Sequence, residues 1–392
     1  MEEHMGSRIS IPIATLFIVS ACHGDPTSAR GGPASEARSS VSSHATPREA
    51  SSTSSVRWNR IAMELFRARG GGAGRTNTYL SLAQYRAVLA AQDARHGQSR
   101  PSLAGAAAGA SVVVLEQFYP LDLAAIEAEL TAQRAESPVR TETNKDFAAG
   151  EAIGRQVGAT VLALAAADNV GATSPGVPPV GPGYWVSSGA PVARGNFGAR
   201  PFFLTSGSEL RLPPPPAFGS PAYLAALAEV RALAVARTPD QVATVVKWVP
   251  FSGVVFNGIA SDLIDQYHRS EVEAARIFAY GNAAAFDAII ACFDTKFTYW
   301  FIRPTQADPG ITLATALPNH PSYPSAHSCE TGAWQVVLSD AFPSERDALE
   351  ATAQEASMSR VIGGLHYRFD GEGGLSLGRA AAKLALERRG LE

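Results

Sequence analysis

Apolar residues recur at three- and four-residue intervals through most of the chain, and the two-residue alternation of half-buried strands is almost absent. Leu82, Tyr85 and Leu89 fall on one helical face, and Leu123, Ile126 and Leu130 on another. Ile153, Val157, Val161 and Leu164 continue the same period, and residues 104–115 are a run of small side chains suited to a closely packed helix. Start signals sharpen the later helices. Thr238-Pro239-Asp240-Gln241 combines an N-cap, a proline at the first helical position and a capping-box glutamine. Ser270-x-x-Glu273 and Ser344-x-x-Asp347 are further boxes. The pattern predicts an all-α domain. Residues 169–220 depart from it: they are loaded with Gly and Pro, including four consecutive prolines at 213–216, and carry no sustained period. They read as a long ordered excursion between a front helical half and a back half.

The N-terminus follows a different pattern. Arg8 precedes an apolar run over 9–19, too short to span a bilayer comfortably, and Val19-Ser20-Ala21-Cys22 follows at once. This predicts a lipoprotein signal peptide over 1–21, with Cys22 lipidated as the mature N-terminus. The chain is then expected to be exported as a cell-envelope lipoprotein, at the outer membrane or periplasmic face. Residues 22–56 have almost nothing to bury and read as a disordered tether. The folded domain is expected over 57–392, long enough for a substantial core, with no stretch of membrane-spanning length. Contact with a membrane is expected through the lipid anchor alone. A net charge of −3 with no basic tract speaks against nucleic acid as a partner. With Cys22 lipidated, Cys292 and Cys329 remain, either as a disulfide of an exported protein or as two buried small residues.

The candidate chemistry lies within 283–388, in three blocks: Lys296-x6-Arg303-Pro304, Pro324-Ser325-Ala326-His327 and Ser359-Arg360-x5-His366-x3-Asp370. Three cations, two histidines and one acid suit a tetrahedral oxyanion such as phosphate or vanadate. Lys296 and Arg303, seven residues apart, are expected on one face of a helix that Pro304 stops. Phe297, Tyr299, Trp300, Phe301 and Ile302 surround them, so the cations need an anionic partner. Ser325 is a natural N-cap for a helix over 326–341, whose first-turn amides point at a bound anion. Gly363-Gly364 breaks the helix begun by the Ser344 box and lets Arg360 and His366 converge. Asp370 either orients the His366 ring, pairs with an arginine or opens a last helix near 375–387.

These blocks resemble the superfamily that unites type 2 phosphatidic acid phosphatases (PAP2), bacterial acid phosphatases and vanadium-dependent haloperoxidases. The motif likeness spans 296–370, and a looser one in helical texture covers about 58–388. His366-Tyr367-Arg368-Phe369-Asp370-Gly371 looks like the haloperoxidase form, and His320 stands seven residues before His327, as in algal bromoperoxidases. The resemblance implies helical bundles with the oxyanion site at a bundle core. It implies vanadate bound through His366 and held by Lys296, Arg303, Arg360, Ser325 and the Ala326 amide, with phosphate as competitor. Hydrogen peroxide, a halide (bromide or iodide, through His320) and a small organic acceptor would be the substrates. His327 would move protons and Lys296 polarise bound peroxide. The same residues allow the alternative, an exported acid phosphatase in which His366 attacks phosphorus and His327 protonates the leaving alcohol.

Overall fold

Helix follows helix, as the periodicity predicts. The computed structural model of the chain describes residues 52–94, 100–136, 145–189, 191–250 and 252–391. Cys22, the signal peptide and nearly all of the expected tether lie outside them. The front half comprises α1 (Ser54–Arg69), α2 (Ala73–Asp93), α3 (Leu103–Phe118), α4 (Leu123–Ala135) and α5 (Phe147–Ala166). The back half comprises α6 (Pro221–Val235), α7 (Pro239–Lys247), α8 (Ser252–Gln266), α9 (Glu271–Tyr299), α10 (Pro304–Ala307), α11 (Ala326–Ala341), α12 (Arg346–Ile362) and α13 (Arg368–Arg388). Among the described residues the only named strands are a two-residue parallel pair, Arg100–Pro101 with Lys145–Asp146. The capping boxes at Thr238 and Ser270 form as expected. The one at Ser344 does not: a 3-10 turn, Pro343–Glu345, precedes α12, and the Ser344 hydroxyl bonds Tyr267 instead.

Small residues decide how the helices pack. On α5 the buried face is Gly150, Gly154, Gly158, Val161 and Ala165, whereas Ile153 and Val157 are half-buried and Leu164 is exposed. The apolar stripe at 153–164 therefore packs only in part: Val161 is buried and Ile153 and Val157 flank the core, while the glycines make the closest approach. A methyl group on Gly154 would come within 2.1 Å of the Ala106 carbonyl oxygen, and one on Gly109 within 2.3 Å of the Glu151 carbonyl oxygen. Backbone thus meets backbone between α3 and α5. The same device joins α11 to α13: methyl groups on Gly332 and Gly374 would each meet a carbonyl oxygen at 2.6 Å, those of Leu375 and Ser325.

α9 runs through the middle of the bundle and packs on α2, α11 and α13. Contrary to the sequence expectation, it is long and apolar enough to cross a bilayer, but its apolar window is wholly buried in protein. It is the core helix of the bundle, and at its far end it delivers Lys296.

The excursion over 169–220 is ordered by α9. Asp287, fully buried at mid-helix, accepts hydrogen bonds from the amides of Phe202 and Phe203 at 2.7 Å and of Leu204 at 3.0 Å. Burial raises its carboxyl to about 6, against the pull of those three donors. The folded state therefore binds the proton more tightly than the unfolded chain does. Stability from this group is fullest below about pH 4 and falls as pH rises to about 6. Asp287→Asn is expected to remove that slope. It should also cost about 2 kcal/mol at pH 7, because an amide NH2 must face backbone donors. Urea midpoints of both proteins between pH 4 and 8 check this.

Candidate active site

The termination of α9 sets the position of the first two cations. Trp300 takes the left-handed conformation (φ 50°) and its amide closes the helix onto the Lys296 carbonyl. The excursion then grips the following residues: Trp185 donates to the Trp300 carbonyl at 2.7 Å, Ile302 donates to the Gly183 carbonyl at 3.0 Å, and the Trp185 and Trp300 rings stack. Arg303 is therefore not on the Lys296 helix, as its spacing suggested. It is the N-cap residue of α10, and its side chain reaches the site from a separate segment.

Arg303 is completely buried, yet it forms no ion pair with a carboxylate among the described residues. Its Nε donates to the His320 carbonyl at 3.0 Å and its Nη1 to the Leu365 carbonyl at 2.8 Å. Nη1 also lies 2.9 Å from His366 Nε2, and Nη2 lies 3.0 Å from His320 Nδ1. A guanidinium only donates, so His366 Nε2 acts as acceptor here, whereas His320 Nδ1 also lies 3.1 Å from the Pro321 carbonyl and can serve only one of its two neighbours. His366 Nδ1 lies 2.8 Å from Asp370 Oδ2 and must carry the ring hydrogen. The tautomer follows: Nδ1–H faces Asp370, and the Nε2 lone pair faces the cations. Burial and the charges of Arg303 and Lys296 keep both His366 and His320 neutral, well below their ordinary values.

Lys296, also fully buried, donates to the carbonyls of Pro321 and Ser322, each at 2.8 Å. An ammonium has three N–H bonds, so one is unused by the described residues. Burial pushes Lys296 down to about 8, and Arg303 and Arg360 each down to about 10. Asp370 is the one carboxylate in this set, raised by burial to about 6. It stands in the first turn of α13, which begins at Arg368, ahead of the expected 375. There its Oδ2 accepts from the Tyr367 amide and the Ser322 hydroxyl as well as from His366. It makes no ion pair with an arginine among the described residues.

The second block folds as its residues predict. Ser325 caps α11, its side chain accepting from the Ser328 amide at 3.4 Å, and its own amide binds the Asp370 carbonyl at 2.9 Å. The Ala326 amide has no acceptor among the described residues. In the third block, Gly364 takes φ +81° after α12, and the amides of Leu365 and His366 fold back onto the Arg360 carbonyl. The glycine break thus performs the turn expected of it. The Arg360 side chain stays apart from His366: Nη2 donates to the Val245 carbonyl at 2.8 Å and Nε lies against Ser359. His327, partly exposed, has its Nε2 3.0 Å from the Trp248 carbonyl. Cys292 and Cys329 are buried free thiols, not a disulfide, and the Cys292 thiol donates to the Pro324 carbonyl at 3.9 Å.

The fold thus joins His366, Asp370, Arg303 and His320 directly, and ties Lys296 to them through Ser322. Several participants carried no motif: Ser322, and the backbone carbonyls of Pro321, Leu365, Val245 and Trp248. A signal for Ser322 was present. It lies between Pro321 and Pro324, residues without amides, where exposed carbonyls must find donors from elsewhere.

Residues 276–389 match the family model described as the PAP2 superfamily. No curated protein sequence matches. Among solved structures, a bacterial vanadium-dependent iodoperoxidase aligns with a TM-score of 0.70 at 21% identity, covering 86% of this chain and 96% of its own. A bacterial vanadium-dependent chloroperoxidase aligns in its apo form with a TM-score of 0.65 at 14% identity, covering 80% of this chain and 93% of its own. The holo form of a bacterial vanadium-dependent chloroperoxidase gives 0.62 at 15% identity, covering 87% and 93%. Residues 276–389 thus carry the likeness to the PAP2 superfamily, and the chain as a whole shares the fold of these vanadium-dependent haloperoxidases.

Proposed function

We propose that this chain is a vanadium-dependent haloperoxidase-like enzyme that oxidises bromide or iodide with hydrogen peroxide and passes the halogen to a small organic acceptor. The observation that carries the reading is the imbalance of buried charge: Lys296 and Arg303 are buried near one carboxylate, Asp370, and Arg360 is buried on the Val245 carbonyl with no ion pair among the described residues. Buried cations are costly without an anion. The donors left over (one Lys296 N–H, Arg360 Nη1 and the Ala326 amide) suit an oxyanion with several equivalent oxygens. Vanadate fits this donor set, with His366 Nε2 as the nitrogen ligand and Ser325 beside the Ala326 amide.

Bound vanadate would supply an electron-poor centre that activates hydrogen peroxide toward halide without changing oxidation state. The protein's own part is to neutralise and orient. Asp370 holds the Nδ1 hydrogen so that Nε2 keeps its lone pair. Lys296 is fixed by two carbonyls and keeps one N–H for an incoming oxygen. His327, kept neutral by burial and by Arg360, is the residue that would exchange protons with the substrate. His320, its Nδ1 set between Arg303 and the Pro321 carbonyl, is the residue that would face a halide. Export and lipidation at Cys22 complete the proposal: an envelope enzyme meeting external peroxide.

The second reading is an exported acid phosphatase. It is favoured by the same His366 geometry, since a neutral Nε2 backed by Asp370 is the arrangement a nucleophile to phosphorus needs. Phosphate and vanadate would then compete for one donor set. The full chain, assayed with orthovanadate, peroxide and bromide or iodide, should halogenate an organic acceptor. A parallel assay without vanadate measures phosphomonoester hydrolysis. Phosphatase turnover with no halide oxidation at any vanadate loading would overturn the first reading in favour of the second.

A further inference from the structure

The segment that holds His327 is itself anchored by a carboxylate outside the oxyanion set. The Trp248 carbonyl accepts from the His327 ring at 3.0 Å, and the Pro250 carbonyl lies close enough to favour its protonated form. The Trp248 indole donates to Glu355 at 2.8 Å, and Val245 nearby receives Arg360. Just downstream, α8 opens at Ser252, and its first donors go to Glu330 of α11. Oε2 of Glu330 accepts from the Ser252 hydroxyl, and from the Gly253 amide at 2.8 Å. Glu330 thus caps α8 from one helical turn beyond His327. It is 2% exposed and has no ion pair among the described residues. A methyl on Gly253 would come within 2.5 Å of Glu330 Oε1, so glycine is what lets the two helices meet here. The Ser252 hydroxyl also lies 3.5 Å from the His327 carbonyl, and its single hydrogen serves one acceptor at a time.

We propose that Glu330 is a positioning residue for His327: its ionised carboxylate fixes the start of α8, and with it the carbonyls that hold the imidazole. Protonation of Glu330 releases that grip. An ionised carboxylate accepts both the hydroxyl and the amide. A neutral acid brings its own hydrogen, and the Ser252 hydroxyl is left to turn toward the His327 carbonyl. Burial raises Glu330 to about 7, opposed by its two donors, so the change falls in the working range of an envelope enzyme. The surrounding groups do not duplicate it. On α11 these are His327, held neutral, and Cys329, raised by burial, with Lys296 of α9 beyond Cys329. From α8 come only Ser252 and the Gly253 amide, and on α12 Glu355 is engaged with Lys247 and Trp248 while Arg360 is engaged with Val245.

The inference rests on the acid–base role given to His327 above, and its test is chosen to separate the two. Nitrogen-15 NMR of histidine-labelled full chain, with His327→Asn assigning the signal, reads the ring whether or not the chain turns over halide. The His327 signal should move with a midpoint near pH 7 although the ring itself stays neutral, and kcat/KM should fall on the acid side with the same midpoint. Glu330→Gln places an NH2 where the neutral acid has its hydrogen. It should abolish the transition and leave kcat/KM at a low plateau, on the order of 10-fold down. Ser252→Ala, which removes one donor to the ionised form, should keep the transition and shift its midpoint upward; it decides the matter if the glutamine variant does not fold. A wild-type transition persisting in Glu330→Gln, or an unmoved midpoint in Ser252→Ala, overturns the inference. A Glu330-dependent transition in a chain with neither activity overturns the functional reading alone.

Discussion

His366→Ala is expected to leave the chain folded and to lower turnover at least about 1,000-fold, whichever of the two reactions is assayed. Within the oxyanion set, His366 Nε2 is the nitrogen whose lone pair is both fixed by a carboxylate behind it and turned toward the cations. Alanine leaves Asp370 and Arg303 one partner short each, a cost of about 1–3 kcal/mol that a domain this size tolerates. Vanadate affinity, measured by calorimetry on the folded variant, should collapse with activity, because the cations alone attract the anion without a covalent or coordinate partner. Asp370→Asn is the milder companion. The ring is still held, but the preference for hydrogen on Nδ1 weakens, and a loss of about 10- to 100-fold follows. Activity of His366→Ala within a few-fold of wild type would remove this residue from the chemistry altogether.

Gly378→Ala should produce the second large effect, on stability. A methyl there would come within 1.9 Å of the Cys329 carbonyl oxygen, and a backbone atom cannot rotate aside as a side chain can. Separating α13 from α11 is the one relief, at a cost of about 3 kcal/mol or more. The separation also pulls Asp370, on α13, away from the Ser325 amide at the start of α11, so activity should fall with stability. Gly258→Ala is the control. Nothing lies within 4 Å of its added methyl, and alanine in mid-helix should gain about 0.5–1 kcal/mol. Equal denaturant midpoints for wild type and Gly378→Ala would show that the two helices do not approach this closely.

Much of the site was legible because its local signals are strong. The helix after Pro324-Ser325 begins at Ala326 and ends at Ala341, as its cap and apolar period predict, and the Gly363-Gly364 break turns the chain where a reversal was needed. Asp370 is both of two readings at once, first-turn acid of α13 and partner of His366. What misled was arithmetic on an assumed helix. Seven residues separate Lys296 from Arg303, but Trp300 takes φ 50°, which no bulky residue announces, and the excursion that pins it lies over a hundred residues earlier in the chain. The α5 stripe misled for a related reason: the period was right, but glycines on the adjacent face permit a closer approach than Ile153 and Val157 do. Partners such as Trp248 for His327 and Ser322 for Lys296 are backbone carbonyls, and a carbonyl has no letter in the sequence.

The contact between Arg303 and His366 Nε2 has one further consequence. The guanidinium lies against the lone pair that the proposed chemistry would use. On the proposed reading, His366 Nε2 and an incoming oxyanion compete for the same arginine. A ligand gains access by offering Arg303 something better than an imidazole nitrogen, and a tetrahedral dianion does so with two parallel acceptors. Weak monoanions and neutral electrophiles have no such offer to make. Selection of the ligand would thus begin before binding is complete, in the exchange of partners at one arginine.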